Sequence, residues 1–187
     1  MDRPHRDSSL GRNDARRPRR LRADGVRSLV SETSLSASDL IAPVFVDATT
    51  AERQPIESMP GHERVPVSDV VNRVEAVLAT GVEAVMLFGI PESKDDRGSR
   101  AYAEDGVVQE AVRRVTAETD AYVITDVCLC EYTDHGHCGI IEHGARDDAA
   151  AAAGHDGPGL TVRNDESLDL LAKTAVSHAE AGADMVA

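Results

Sequence analysis

Tyr122-Val123-Ile124-Thr125-Asp126-Val127-Cys128 is an apolar run that passes without a break into Leu129-Cys130-Glu131-Tyr132-Thr133-Asp134-His135-Gly136-His137-Cys138-Gly139. The first part reads as a buried strand, and the second holds all three cysteines of the chain. Cys128 and Cys130 are two apart, so on an extended strand their side chains share a face and can converge on one ion. Cys138 returns across a polar, glycine-containing turn. Three soft thiols with two interleaved imidazoles suit zinc, whereas magnesium and calcium prefer oxygen ligands. An odd cysteine count without a secretory leader argues against a disulfide framework. Three thiolates leave a fourth coordination position open, as in catalytic zinc sites, unless His135 or His137 closes it. Otherwise both histidines read as loop residues beside the metal.

Outward from this segment, apolar strands alternate with helical spacing. Leu40 to Val46 is a short buried strand with Pro43 inside it. Ser68 is placed to cap a helix whose apolar positions fall at 70, 71, 74, 77 and 78, stopped by Gly81. Ala84 to Ile90 is a second continuous apolar strand, ended by Pro91. Residues 106–118 are helical again, with Val107, Val108, Ala111, Val112 and Val115 on one side. After Tyr122 to Cys128 comes a helix over about 165–181, then Gly182 and a strand start at Ala183. Uninterrupted apolar strands separated by helices predict a parallel sheet buried on both faces. Four such strands fit an open doubly wound sheet or half of a (β/α)8 barrel. No Gly-x-Gly-x-x-Gly follows any strand, which weakens a nucleotide-binding reading. Both architectures place their chemistry at the carboxyl ends of strands, where the cysteines lie. A barrel takes about 250 residues, so the 187 here predict an incomplete protein. The low-complexity stretch at 144–160 reads as a solvated loop insertion, with His155 on the surface.

The net charge of −13 conceals an asymmetry. Residues 1–27 carry nine Arg against four Asp, and residues 28–187 carry eleven basic against twenty-nine acidic side chains. Only two of the twenty basic residues are lysines, Lys94 and Lys173. An acidic, lysine-poor surface stays hydrated in high salt, so a halophilic adaptation is expected. The acidic body predicts no nucleic-acid partner, and no apolar run is long enough to span a membrane. A cytoplasmic, soluble protein is expected. The basic segment at 16–22 reads as an arm that docks on a neighbouring subunit's negative surface. The arm is expected over 1–38, disordered over 1–15, ahead of a body at 39–187.

The stretch from Asp126 to Gly139 resembles the zinc-type signature of the porphobilinogen synthase, or 5-aminolevulinate dehydratase, family. Further similarity lies in Arg17-Pro18-Arg19-Arg20-Leu21-Arg22, Glu32-Thr33, Ile41 to Val46, Ser58-Met59-Pro60-Gly61, Leu87-Phe88-Gly89-Ile90-Pro91, Lys94-Asp95 and Gly98-Ser99. It runs collinearly from 16 to 187, interrupted only at 144–160. The resemblance implies the N-terminal half of a TIM barrel preceded by an extended arm, and a homo-octamer in full-length members. It implies the condensation of two 5-aminolevulinate molecules to porphobilinogen, a lyase step in haem and tetrapyrrole biosynthesis. Cys128, Cys130 and Cys138 then match the catalytic zinc ligands, and Asp126 the active-site aspartate. It also leaves room for an allosteric magnesium, for which no ligand is readable here. The family's two Schiff-base lysines belong to the second half of the barrel. Lys94, in an Asp-rich loop, and Lys173, on a helix, match neither, so no turnover by this chain alone is expected. The alternative is a free-standing zinc-binding interaction module.

Overall fold

The computed structural model describes residues 24–143 and 160–187. Those residues form two compact units that divide between Ser36 and Ala37. The first carries one short helix, α1 (Asp24–Leu29), with Leu29 and Leu35 largely exposed at 85% and 76%. The rest of the expected arm, residues 1–23, lies outside the described residues, as does the 144–160 stretch apart from Leu160.

The second unit is α/β. It runs β1 (Ile41–Asp47), β2 (Gln54–Pro55), β3 (Glu63–Pro66), α2 (Val70–Leu78), β4 (Ala84–Ile90), α3 (Val107–Glu118) and β5 (Tyr122–Thr125). It continues through β6 (Ile141–His143), β7 (Leu160–Val162), α4 (Asn164–Ala181) and β8 (Met185–Val186). One sheet has the order β2-β3-β1-β4-β5-β8, and β6 pairs only with β7. The pairs β1–β4, β4–β5 and β5–β8 are parallel, so these four strands lie side by side in chain order. A doubly wound sheet reverses its strand order at a switch point. Here the step from β1 to β3 carries no α-helix, and the helix-bearing crossovers from β3 to β4, β4 to β5 and β5 to β8 all run in one direction, which as right-handed crossovers puts their helices on one face. The topology is that of the first half of a (β/α)8 barrel.

Burial follows that arrangement. Along β4 it alternates: Val85 and Leu87 are fully buried, while Met86 and Phe88 are half-buried. Val44, Val46, Val85 and Leu87 share a core with Val70, Val74 and Val77 of α2 and Val108, Ala111, Val112 and Val115 of α3. On the other face Phe45 and Phe88 pair in register and stack, ring centroids 5.3 Å apart. The sheet is therefore covered by helices on one face among the described residues, not on both as the apolar runs suggest.

Two local differences have physical causes. Helix α2 is entered through a 3-10 turn over Val67–Asp69, so Ser68 lies inside that turn and does not cap the helix. Asp69 occupies the cap position, but its carboxylate is taken by Arg53 and Asn72. Two short strands, β2 and β3, were not expected; β3 pairs with the carboxyl end of β1, and Gln54 and Pro55 add an antiparallel edge. Helix α4 begins with Asp165 and Glu166 in its first turn, where the helix dipole favours negative charge. It ends at Gly182, whose φ of 110° serves the left-handed cap.

His178, in the last turn of α4, is fully buried, and among the described residues neither ring nitrogen has a well-formed hydrogen bond. Gln109 already donates to the nearby Ala101 carbonyl and to Ser177 Oγ. Burial pushes the imidazole pKa down to about 4, only partly offset by that carbonyl. The unfolded chain therefore binds a proton that the folded one refuses between about pH 6.5 and pH 4. Stability from the neutral ring is fully present above that window and falls as pH drops through it, by about 3 kcal/mol in all. Urea unfolding from pH 7.5 to 4 should show this decline, and His178→Leu should flatten it; an equal slope in the variant would contradict the assignment.

Candidate metal centre

Strand β5 spans Tyr122–Thr125, and its parallel ladder carries one step further through the next two amides. The Asp126 amide donates to Leu87 O at 3.3 Å, and the Val127 amide to Ala187 O at 2.6 Å. The chain then wraps around the Leu129 carbonyl, which accepts from the amides of Tyr132 and Thr133, both at 2.9 Å. Leu129 itself is buried. Cys128 and Cys130 therefore converge across a turn, not along one face of a pleat. Cys128 Sγ lies 3.2 Å from Cys130 Sγ and 3.2 Å from Cys138 Sγ. All three cysteines are free, and their sulfurs lie within 4.8 Å of one another. A tetrahedral ion with bonds of about 2.3 Å to sulfur would hold its ligands about 3.8 Å apart. The Cys128–Cys130 and Cys128–Cys138 pairs thus need to open by about 0.6 Å, so the donor set fits a zinc-sized, thiophilic ion.

The turn is seated by Tyr132, which is buried at 3% exposure. Its hydroxyl passes over Gly89 of β4, next to Val107 and Val108 at the start of α3. A Cβ on Gly89 would stand 2.5 Å from Tyr132 Oη, 2.7 Å from Val108 Cγ2 and 2.8 Å from Val107 Cγ1. Gly89 is therefore the space into which the cysteine turn is keyed.

The electrostatics favour uncharged thiols until an ion arrives. Burial raises the Cys128 and Cys130 pKa values, that of Cys130 strongly. Burial also lifts the Asp126 carboxyl above the usual carboxylate range, and the charge of Glu131 adds to the effect. Glu131 is the residue that sequence reasoning missed. Its Oε2 accepts from Cys130 Sγ at 3.3 Å, and its carboxylate forms a second cluster with Asp126 and Cys128 within 4.8 Å. On a strand it would have pointed away from the cysteine face; the turn brings it inward.

The sequence profile of the delta-aminolevulinic acid dehydratase family matches residues 15–187. The chain belongs to that family. Among its relatives, the delta-aminolevulinic acid dehydratase of Archaeoglobus fulgidus is 48% identical over 172 residues, covering 91% of this chain and 48% of the archaeal protein. That of Bacillus subtilis is 41% identical over 173 residues, again 91% of this chain and 48% of the relative. The chain thus spans about half the length of these relatives. A crystal structure of the Toxoplasma gondii ME49 enzyme (porphobilinogen synthase), in complex with the reaction product porphobilinogen, superposes with a TM-score of 0.75 at 33% identity. It covers 90% of this chain and 45% of that one.

Within this member of the family, the two histidines of the cysteine stretch stand apart from the sulfurs. Neither joins a cluster of possible ligands among the described residues. Their rings lie 5.6 Å apart, the His137 amide donates to His135 Nδ1, and His135 Nε2 contacts Asp96 O at 3.3 Å. They fold the loop. Lys94 is exposed, and Lys173 is exposed with its Nζ 6.0 Å from the Tyr102 ring centre. Gly89→Ala should overpack the Tyr132 seat at a cost of about 1–3 kcal/mol. Urea denaturation would show this as a lowered midpoint, and an unchanged midpoint would contradict the keyed seat.

Proposed function

We propose that this chain provides the metal-binding part of a porphobilinogen synthase, the enzyme that condenses two 5-aminolevulinate molecules to porphobilinogen in tetrapyrrole biosynthesis. Cys128, Cys130 and Cys138 hold a catalytic zinc, with Asp126 as the carboxylate beside it. The observation that carries this is the convergence of three free sulfurs just past the carboxyl end of a parallel strand, with the half-buried Asp126 carboxylate in an adjoining cluster that shares Cys128. Bound there, zinc supplies a Lewis acid with one position left for a substrate amine or carbonyl oxygen. Cys138 is exposed, so the trio is reachable from solvent. Burial makes Asp126 a better proton acceptor than an exposed aspartate, suited to take a proton from the substrate ammonium or to orient it. Glu131 adds negative charge that attracts the same ammonium.

A free-standing zinc module is the weaker reading, because the family profile extends over every strand and helix and not over the cysteine loop alone. The arm at 1–38 we read as an assembly element of a homo-octamer. Its Arg-rich stretch complements an acidic body at 39–187, and Leu29, Val30 and Leu35 offer apolar surface to a neighbouring copy. Among the described residues no helix is long and apolar enough to cross a membrane, and we place the enzyme in the cytoplasm. The acidic, lysine-poor body reads as halophilic. Both possible ion clusters among the described residues lie in the cysteine loop, so no separate allosteric magnesium is assigned.

A lysine forms a Schiff base only when its amine is desolvated and partly deprotonated. Lys94 and Lys173 are both exposed, so neither amine is desolvated. The 187-residue polypeptide should bind one zinc per chain and release no porphobilinogen from 5-aminolevulinate, and Cys130→Ser should abolish stoichiometric zinc. Unchanged zinc in the variant would reject the three-thiolate site. Steady product formation by the polypeptide would show that one of its own lysines serves.

A further inference from the structure

The stretch Lys94-Asp95 to Gly98-Ser99, in the loop after β4, has no part in the chemistry so far, yet it lies against the cysteine turn throughout. Asp95 and Thr133 form an isolated parallel bridge. The Asp95 amide donates to Tyr132 O at 3.2 Å, and Asp95 O accepts from the Asp134 amide at 3.0 Å. The Asp95 carboxylate faces back into its own loop. Its Oδ1 accepts from the amides of Arg97 and Ser99, both at 2.9 Å, and its Oδ2 accepts from Ser99 Oγ. Burial alone would raise this carboxyl's pKa; the Ser99 and Arg97 donors outweigh it and hold the group below the usual carboxylate range, as an anion. Gly98, at φ 61°, presses on the turn: a Cβ there would meet Tyr132 Cβ at 3.3 Å, Thr133 Cγ2 at 3.4 Å and Leu129 Cδ2 at 3.5 Å. From Thr133 the tie continues, because its hydroxyl donates to His137 O at 2.9 Å, one residue before Cys138.

We infer that Asp95 is a positioning residue for the three-thiol site: its carboxylate fixes the 95–99 loop as a template, and its backbone holds the 132–134 segment so that Cys138 returns to Cys128 and Cys130. Cys138 is the sulfur most in need of such a tie, being exposed and eight residues beyond Cys130 in the chain. The route from Asp95 through the Tyr132 carbonyl and Asp134 amide flanking Thr133, and on from Thr133 to His137, links the two segments by hydrogen bonds, whereas the seat on Gly89 acts through the Tyr132 hydroxyl. The role rests on the zinc reading above, since positioning matters only if the sulfurs share an ion.

The test is zinc affinity of the full 187-residue chain by chelator competition, with cobalt(II) absorption as a report on thiolate ligation. Wild type, Asp95→Ala, Asp95→Asn and Thr133→Val are compared at a temperature where circular dichroism shows each folded. Asp95→Ala should weaken zinc about 10- to 100-fold, the range expected when a partner that orients a ligand is lost, and reduce the sulfur-to-cobalt charge-transfer band. Asp95→Asn keeps an acceptor for the Arg97 and Ser99 amides and should restore most of the affinity. Thr133→Val preserves shape and removes only the bond to His137 O, so it should also weaken zinc. It carries the test alone if Asp95→Ala does not fold. Wild-type affinity and cobalt spectrum in Asp95→Ala, or in Thr133→Val where that variant stands alone, would overturn the positioning role while leaving the zinc site intact. Failure of the wild-type chain itself to bind zinc would overturn the metal reading, and this role with it.

Discussion

Neutral thiols attract one another only weakly, so three sulfurs gathered within 4.8 Å are held there by the fold around them. That convergence is the constraint on which the rest depends. It requires a strand that ends early, a turn wound on one carbonyl, and a neighbouring strand that leaves room for the turn to seat. Thr125, Leu129 and Gly89 meet these requirements in that order. The Tyr132 seat and the Asp95 bridge both belong to the β4 side, so the centre is shared between two adjacent strands of the sheet.

The topology explains why those two strands are neighbours. Strands β1, β4, β5 and β8 lie side by side, and the helix-bearing crossovers between them cover the same face. Loops leaving the carboxyl ends of β4 and β5 are thereby thrown together, as in barrels, where active sites are assembled from such loops. The valine-rich layer of β1, β4, α2 and α3 supplies the rigid floor, and the chemistry-bearing side chains stand above it.

Much of this was legible in the residues. The apolar runs at 40–46 and 84–90 are strands, and the helical spacings at 70–78 and 106–118 are helices, because periodic burial leaves its mark on composition. The apolar spacing alone did not choose between a doubly wound sheet and a half barrel, since strand order is a long-range property that no local pattern encodes; the family resemblance supplied the half barrel. Nor was the end of β5. Cys128 and Leu129 are as compatible with a strand as Val123, and only the turn closed on the Leu129 carbonyl by the Tyr132 and Thr133 amides decides otherwise. That one shift changed how Cys128 and Cys130 meet and brought Glu131 inward. The cysteines themselves were readable as a cluster because thiols so concentrated have few other uses. The service of Gly89 and Asp95 to that cluster was hidden, because both lie more than thirty residues upstream.

Zinc K-edge X-ray absorption on the zinc-loaded chain tests the central claim most directly. The account predicts three sulfur neighbours at about 2.3 Å and one lighter scatterer completing a four-coordinate site. A shell with fewer than three sulfurs, or one that includes imidazole from His135 or His137, would contradict it.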